Sequence, residues 1–253
     1  MGIAIQKMFD GIAGRYDFLN RFLSAGRDRA WRNKAAERLR GRGVTRVLDL
    51  CGGTGDFWHS WMEAERKHSR NTEGRASAPP AGQERSPAPL GVIADFSLPM
   101  LLEARRKFLS DPSMAGPRPC LVRMDALHPC FKEGRFDAVL CAYGMRNLDS
   151  LGMGLDAITR QLRPGGIFIT LEFFRPTTLF TRFFYGVLAP LAIPVLGGLF
   201  SSRREAYAYL VDSIRRFCSV WEYRDRSRKQ GFREVDVIPC DFGISHIVTA
   251  VKA

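Results

Sequence analysis

Residues 46–57 read RVLDLCGGTGDF. Val47, Leu48, Leu50 and Cys51 make a short apolar run that stops at Gly52, Gly53 and Gly55. Such a run reads as a buried strand breaking into a tight turn. Glycines let a ligand approach the backbone closely, because no Cβ intervenes. What the turn lacks narrows the ligand. No Lys follows the glycines, so the turn is not a nucleotide phosphate loop. It reads G-G-T-G rather than G-x-G-x-x-G. Asp56 also stands where a pyrophosphate would meet a helix N-terminus, which is electrostatically unfavourable. A ligand without phosphates fits better. S-adenosylmethionine is one: its amino and sulfonium groups are cationic and welcome a carboxylate, and Asp49 is placed to supply it.

The rest of the chain supports this reading. Strand-like segments follow at 90–94, 120–123, 136–141 and 166–172, with helical patterns at 98–109 and 151–162 between them. Strands alternating with helices predict a parallel sheet covered on both faces. Two late strands, 233–239 and 245–251, are expected to pair as an antiparallel hairpin around a turn at 241–243. The expected fold is α/β: a Rossmann-like class I methyltransferase with a mostly parallel seven-stranded sheet and a C-terminal antiparallel hairpin. One domain spanning 1–253 is expected.

In that fold an acid should end the second strand, about 20 residues past the turn, to hold the ribose hydroxyls. Asp95 ends GVIAD but lies about 40 residues on. The excess is explained by 66–89, which is rich in Glu, Arg, Ser, Ala and Pro and nearly empty of large apolar groups. That composition predicts a disordered insertion. Asp125, after the third strand, is placed to accept from an adenine amino group. A strand-end Asp alone is commonly a turn residue. The ordered series Asp49, Gly52, Gly53, Gly55, Asp95 and Asp125 carries the cofactor assignment.

Composition bounds the partners. The chain has 253 residues and a formal net charge of +12, which points to an anionic partner such as an acidic substrate, an anionic membrane face or nucleic acid. The six cysteines form no C-x-x-C pair, so reduced buried thiols are expected, and no metal site. The apolar run at 187–200 is broken by Pro190, Pro194, Gly197 and Gly198 and is too short to span a bilayer. Cytoplasmic residence is therefore expected, and peripheral contact with a membrane is compatible with the charge.

Several segments resemble the UbiE/COQ5 family of quinone-biosynthesis C-methyltransferases, which includes MenG-type members. They are FDGIAGRYDFLNRFLSAGRDRAWR (9–32), VLDLCGGTGDF (47–57), FDAVLCAYGMRNLDS (136–150), RQLRPGGIFITLEF (160–173) and EAYAYLVDSIRRF (205–217). The Y-D-x-x-N…S-x-G…W pattern and the G-M-R-N tetrapeptide are the specific parts. The family pattern is departed from at Leu19, Asp28, Ala142, Gln161, Arg163 and Phe174. Asp28, where the family has His, is the departure with most bearing on substrate handling.

The resemblance implies C-methylation of a polyprenyl quinol, with Thr54, Asp95 and Asp125–Ala126 at the cofactor. Demethylmenaquinol is the leading substrate and a 2-methoxy-6-polyprenyl-1,4-benzoquinol the alternative. An RNA methyltransferase and a non-catalytic scaffold are the remaining readings. No appended RNA module or N-P-P-Y motif is present, so nucleic acid is not expected as a partner. Methylating a quinol ring calls for a cation to stabilise the phenolate. Arg146 is the candidate, with a bridge to Asp149 or Asp17 as its plain structural alternative. Asn147 is expected to orient a neighbour, and Tyr16 to close the site from N-terminal helices within 1–42. Glu172 and His246 are weaker candidates, and the general base is not identified. The apolar segment at 175–204 is expected as a lid that suits a prenyl tail. The oligomeric state stays open, a homodimer among the options.

Overall fold

The computed structural model describes residues 3–73, 90–110, 112, 118–188 and 202–253. Seven strands form one sheet: β1 (Arg46–Leu50), β2 (Leu90–Asp95), β3 (Cys120–Arg123), β4 (Phe136–Ala142), β5 (Leu162–Glu172), β6 (Phe232–Cys240) and β7 (Ser245–Lys252). Their order is β3-β2-β1-β4-β5-β7-β6. The first five run parallel, and β7 enters antiparallel between β5 and β6. This is the expected sheet and hairpin.

Among the described residues the helices are α1 (Ile3–Ile12), α2 (Tyr16–Leu23), α3 (Arg27–Ala36), α4 (Asp56–Glu73), α5 (Leu98–Ser110), α6 (Leu151–Gln161), α7 (Leu179–Phe183), α8 (Ser202–Arg216) and α9 (Val220–Lys229). Central strands bury both faces, which is why they read as continuous apolar runs. Val47, Ala138, Leu140, Ile167 and Ile169 pack on one face with Trp31, Trp58 and Trp61. Leu48, Val139, Cys141, Phe168 and Val248 pack on the other with Leu155, Ile158 and Tyr223.

The N-terminal helices expected within 1–42 include α1, α2 and α3, with Gly26 at φ +77° separating α2 from α3. One expectation needs correction. The insertion expected at 66–89 does not begin disordered: α4 continues through Glu73, and 74–89 lie outside the described residues. In the expected lid, 175–188 and 202–204 are described, with a π-helical turn Phe184–Leu188 after α7, and 189–201 lie outside.

Candidate active site

The glycine turn is fixed from below by its neighbours. The Gly52 N–H donates to Ala94 O at 3.1 Å, tying the turn to β2. A Cβ on Gly52 would lie 2.7 Å from Ile93 Cγ2 and 2.9 Å from Asp49 O, so only glycine fits there. Gly53, at φ +54°, donates its N–H to Asp95 Oδ2 at 2.9 Å. The other oxygen of Asp95 accepts the Ser97 N–H at 2.9 Å. Burial pushes Asp95 up to about 6, against the pull of these N–H groups.

Two cavities meet at Asp95. The larger, about 170 Å³, is walled by Leu50, Ala94, Met124, Asp125, Ala126 and Leu148. Its apolar sides and two carboxylates suit a purine and a ribose. Asp125 is half-exposed; its Oδ1 accepts the Leu127 N–H at 3.0 Å and its Oδ2 lies 3.1 Å from His128 Nδ1. The smaller cavity, about 30 Å³, lies between Gly53, Tyr143, Gly144 and Asn147 on the sheet side and Phe9 and Tyr16 on the N-terminal helices. Cys51, Asp95 and Phe96 wall both. Burial raises the Tyr16 hydroxyl, which meets Asn20. Phe9 and Tyr16 of α1 and α2 close this cavity from the N-terminal side.

Other candidates fall elsewhere. Asp49 is fully buried beneath the turn and walls neither cavity. Its Oδ2 accepts the Trp58 N–H of α4 at 3.0 Å, while Oδ1 is buried without a protein partner. Burial pushes it up to about 7. In this packing its Oδ2 holds α4 against β1. Thr54 is buried too, and its hydroxyl donates to Asp17 Oδ1 at 2.5 Å. Lys107 Nζ donates to Asp17 Oδ2 at 2.7 Å and to Asp56, so α2 is fastened to the turn through Asp17. Gly55 packs under Ile93 and Phe108.

Arg146 bridges to neither Asp149 nor Asp17. Its Nη1 donates to Glu172 Oε1 and to Tyr143 O, both at 2.7 Å. Burial opposes the Arg146 charge, but the Glu172 carboxylate outweighs it and raises the guanidinium. Asn147 is buried: Nδ2 donates to Tyr143 O at 2.9 Å, and Oδ1 accepts from the Tyr209 hydroxyl at 2.7 Å. Both residues wall a third cavity of about 410 Å³, with Ile5, Leu148, Leu151, Tyr209 and Phe217 and the charged Asp149, Arg175, Arg216, Glu222 and Arg226 among its other sides. Asn147 thus stands between the cofactor-side cavity and this one.

Asp28, the departure from the family pattern, pairs with Arg32 at 2.6 Å with both side chains buried and walls none of these cavities. His246 is also set apart. Its ring sits edge-on to Phe174, 5.7 Å between centroids, and burial pushes it down to about 4.

Phe9, Phe96, Cys51 and Tyr209 were not among the sequence candidates. Phe9 and Tyr209 lie 6.3 Å apart between ring centroids, although the chain separates them widely. Their helical spacing signals burial but not which cavity they wall.

Comparison with known proteins bears on the family and the fold. The model of the ubiE/COQ5 methyltransferase family matches residues 2–252. The ubiquinone/menaquinone biosynthesis C-methyltransferase UbiE of Geobacter sulfurreducens is 37% identical over 255 residues, covering 99% of this chain and 89% of its own. The demethylmenaquinone methyltransferase of Deinococcus radiodurans is 37% identical over 240 residues, covering 92% and 86%. The mitochondrial 2-methoxy-6-polyprenyl-1,4-benzoquinol methylase of Rattus norvegicus is 29% identical, covering 99% and 80%. Among solved structures, an S-adenosylmethionine-dependent methyltransferase of Thermotoga maritima aligns over 98% of this chain and 99% of its own, at TM-score 0.61 and 17% identity. The magnesium protoporphyrin IX methyltransferase of Synechocystis, with bound S-adenosylhomocysteine, aligns over 89% and 83% at TM-score 0.55 and 17% identity.

Proposed function

The chain belongs to the ubiE/COQ5 methyltransferase family, and from that premise we propose that it methylates a ring carbon of demethylmenaquinol. The coarser statement needs no proposal: it is an S-adenosylmethionine-dependent C-methyltransferase of quinone biosynthesis. The naphthoquinol is put first because relatives named demethylmenaquinone methyltransferase reach 37% identity, as does one named for both quinones, against 29% for the benzoquinol methylase.

The observation that carries the site reading is the position of Asn147, which walls both the cofactor-side cavity and the 410 Å³ cavity beyond it. A ring held in the larger cavity would meet the cofactor's reactive end across this wall. When bound, S-adenosylmethionine supplies the methyl group as a sulfonium. Asp95 would accept hydrogen bonds from the ribose hydroxyls, and Asp125 from the adenine amino group. Ala126 leaves room for the base, and Gly52, Gly53, Thr54 and Gly55 shape the turn under the ligand.

The ring carbon becomes nucleophilic when the neighbouring phenol loses its proton, and a free phenol has a pKa of about 10. Arg146 lowers that cost by holding the phenolate oxygen in a buried setting, where a fixed charge acts strongly. Asn147 orients the ring, and Tyr16 excludes water from above. The 410 Å³ cavity offers the ring Ile5, Leu148, Leu151 and Phe217 among polar and charged walls that include Asp149, Arg175, Arg216, Glu222 and Arg226.

The test is methyl transfer from labelled S-adenosylmethionine to a short-chain demethylmenaquinol and, in parallel, to a demethylated benzoquinol, both kept reduced with dithionite. Faster label incorporation into the naphthoquinol is expected. Preference for the benzoquinol would reassign the substrate, and label in neither would remove the quinol reading.

A further inference from the structure

A face of apolar side chains lies outside the site just described. Leu179, Phe183 and Val187 fall on successive turns of α7 and the π-helical segment after it, with Phe180 beside them; they are 86%, 53%, 42% and 45% exposed. Phe242, 85% exposed, joins them from the turn between β6 and β7, its ring centroid 5.5 Å from that of Phe180. The inner side of the same elements is anchored. Thr178 and Thr181 form a capping box, and the buried Tyr185 donates its hydroxyl to Ile244 O at 2.7 Å. The apolar groups therefore face outward on a fixed scaffold.

Phe242 is the telling residue. Its backbone sits at φ +59°, a left-handed conformation that disfavours any side chain with a Cβ. Its ring gains little from burial in the fold. Glycine or asparagine would hold the turn more easily, so neither the backbone nor the core explains an aromatic residue here.

Position and charge point to an occupant. The turn leads into Ser245 and His246 of β7, and His246 pairs with Glu172 at the end of β5, the carboxylate that holds Arg146. The apolar face thus lies at the same edge of the sheet as the site. The sequence from Phe173 to Arg204 contains no acidic residue and four arginines; Arg182 stands on α7 between Phe180 and Phe183, while Arg175 is paired with Glu222 at 2.7 Å. Asp241, beside Phe242, is neutralised by Arg27 at 2.7 Å. Apolar and aromatic groups in a segment whose charged residues are all basic match an anionic bilayer surface. Two copies meeting here would bring like charges together.

We propose that Leu179, Phe180, Phe183, Val187 and Phe242 dock the protein on an anionic phospholipid surface, entering the boundary between headgroups and acyl chains. The inference rests on the proposed polyprenyl quinol, whose tail resides in such a bilayer and would reach the site from this edge.

The test is co-sedimentation of the full chain, without quinol, on vesicles of phosphatidylcholine alone and of phosphatidylcholine with phosphatidylglycerol. Wild type is expected to pellet with the anionic vesicles and to be released by salt. Phe242→Asn, which suits the left-handed turn, should weaken partitioning about tenfold, as expected for the loss of one buried aromatic side chain. Leu179→Ser/Phe183→Ser should weaken it further. Both variants should keep their melting temperature and their activity on a water-soluble short-chain quinol.

Wild type that stays in solution, or variants that pellet as well as wild type, would overturn the proposal. So would a wild-type dimer in sedimentation velocity that Phe242→Asn dissolves, since the face would then belong to a second copy. Vesicle binding lost in the variants, with no methyl transfer to either quinol, would uphold the docking face and remove the functional reading instead.

Discussion

Arg146 Nη1 donates to Glu172 Oε1 at 2.7 Å, and Oε2 of the same carboxylate accepts the Arg146 backbone N–H at 3.2 Å. The two side chains are 7% and 0% exposed. Removing one member of a buried pair leaves the other charge unpaired and costs about 3–5 kcal/mol. Glu172→Ala should therefore lower stability by that amount in a denaturant titration. Arg146→Met/Glu172→Leu, which leaves no lone charge, should recover most of the stability and show no methyl transfer. Activity in the double variant would remove Arg146 from the chemistry.

Entry of the cofactor should be limited by the Asp17 fastening. The carboxylate takes the Thr54 hydroxyl and the Lys107 ammonium, and both contacts hold α2, whose Tyr16 walls the smaller cavity. Hydrogen bonds to charged groups contribute about 1.5–3 kcal/mol. Asp17→Asn should accordingly speed association of S-adenosylhomocysteine by about tenfold in stopped-flow fluorescence. An unchanged rate would mean that α2 moves without breaking these contacts.

Asp49 predicts a pH dependence of stability. Burial raises it from 3.8 to about 7 in the folded protein, so the folded state holds this proton more tightly than the unfolded chain does. The stability it contributes is complete below about pH 4 and is lost as pH rises toward about 7. Asp49→Asn cannot ionise and keeps an oxygen for the Trp58 N–H. Its melting temperature should vary less than that of wild type between pH 4 and 7, and should be the higher of the two at pH 8. A wild type equally stable across that range would show Asp49 to be ionised at little cost.

The contrast between Asp95 and Asp49 shows what the sequence could carry. Both close apolar strands and both read as cofactor acids. Asp95 does reach the cavities, because β2 ends level with the turn and its carboxylate takes the Gly53 N–H. Asp49 lies one residue before the last position of β1 and points to the face that carries α4. A strand's alternation gives two faces, and only the packed helices tell which is which. The parallel sheet and the hairpin were legible because they follow from strands alternating with helices and from the late pair 233–239 and 245–251. The partner of Arg146 was not: Glu172 meets it through adjacent strand ends, β4 and β5, that only the folded sheet aligns. The continuation of α4 to Glu73 was hidden for a similar reason, since a polar helix end carries no apolar period.

Tyr209 tests the division between the cofactor and substrate sides. Its hydroxyl donates to Asn147 Oδ1 at 2.7 Å, while Asn147 Nδ2 donates to Tyr143 O at 2.9 Å. The amide is thereby held in one orientation across the wall between cavities. Tyr209 walls the 410 Å³ cavity and neither of the cavities at Asp95. Tyr209→Phe keeps the ring and removes one neutral hydrogen bond, worth about 0.5–1.5 kcal/mol. Its melting temperature should fall only slightly, and calorimetry should return the wild-type affinity for S-adenosylhomocysteine. Turnover of the short-chain quinol should drop about tenfold, because a freed Asn147 amide loosens the ring's alignment and small misplacements of reacting groups cost rate steeply. Asn147→Ala should lose at least as much turnover. The opposite split, weaker cofactor binding with unchanged turnover, would place the 410 Å³ cavity outside the reaction and leave Asn147 as a support for the Tyr143 backbone alone.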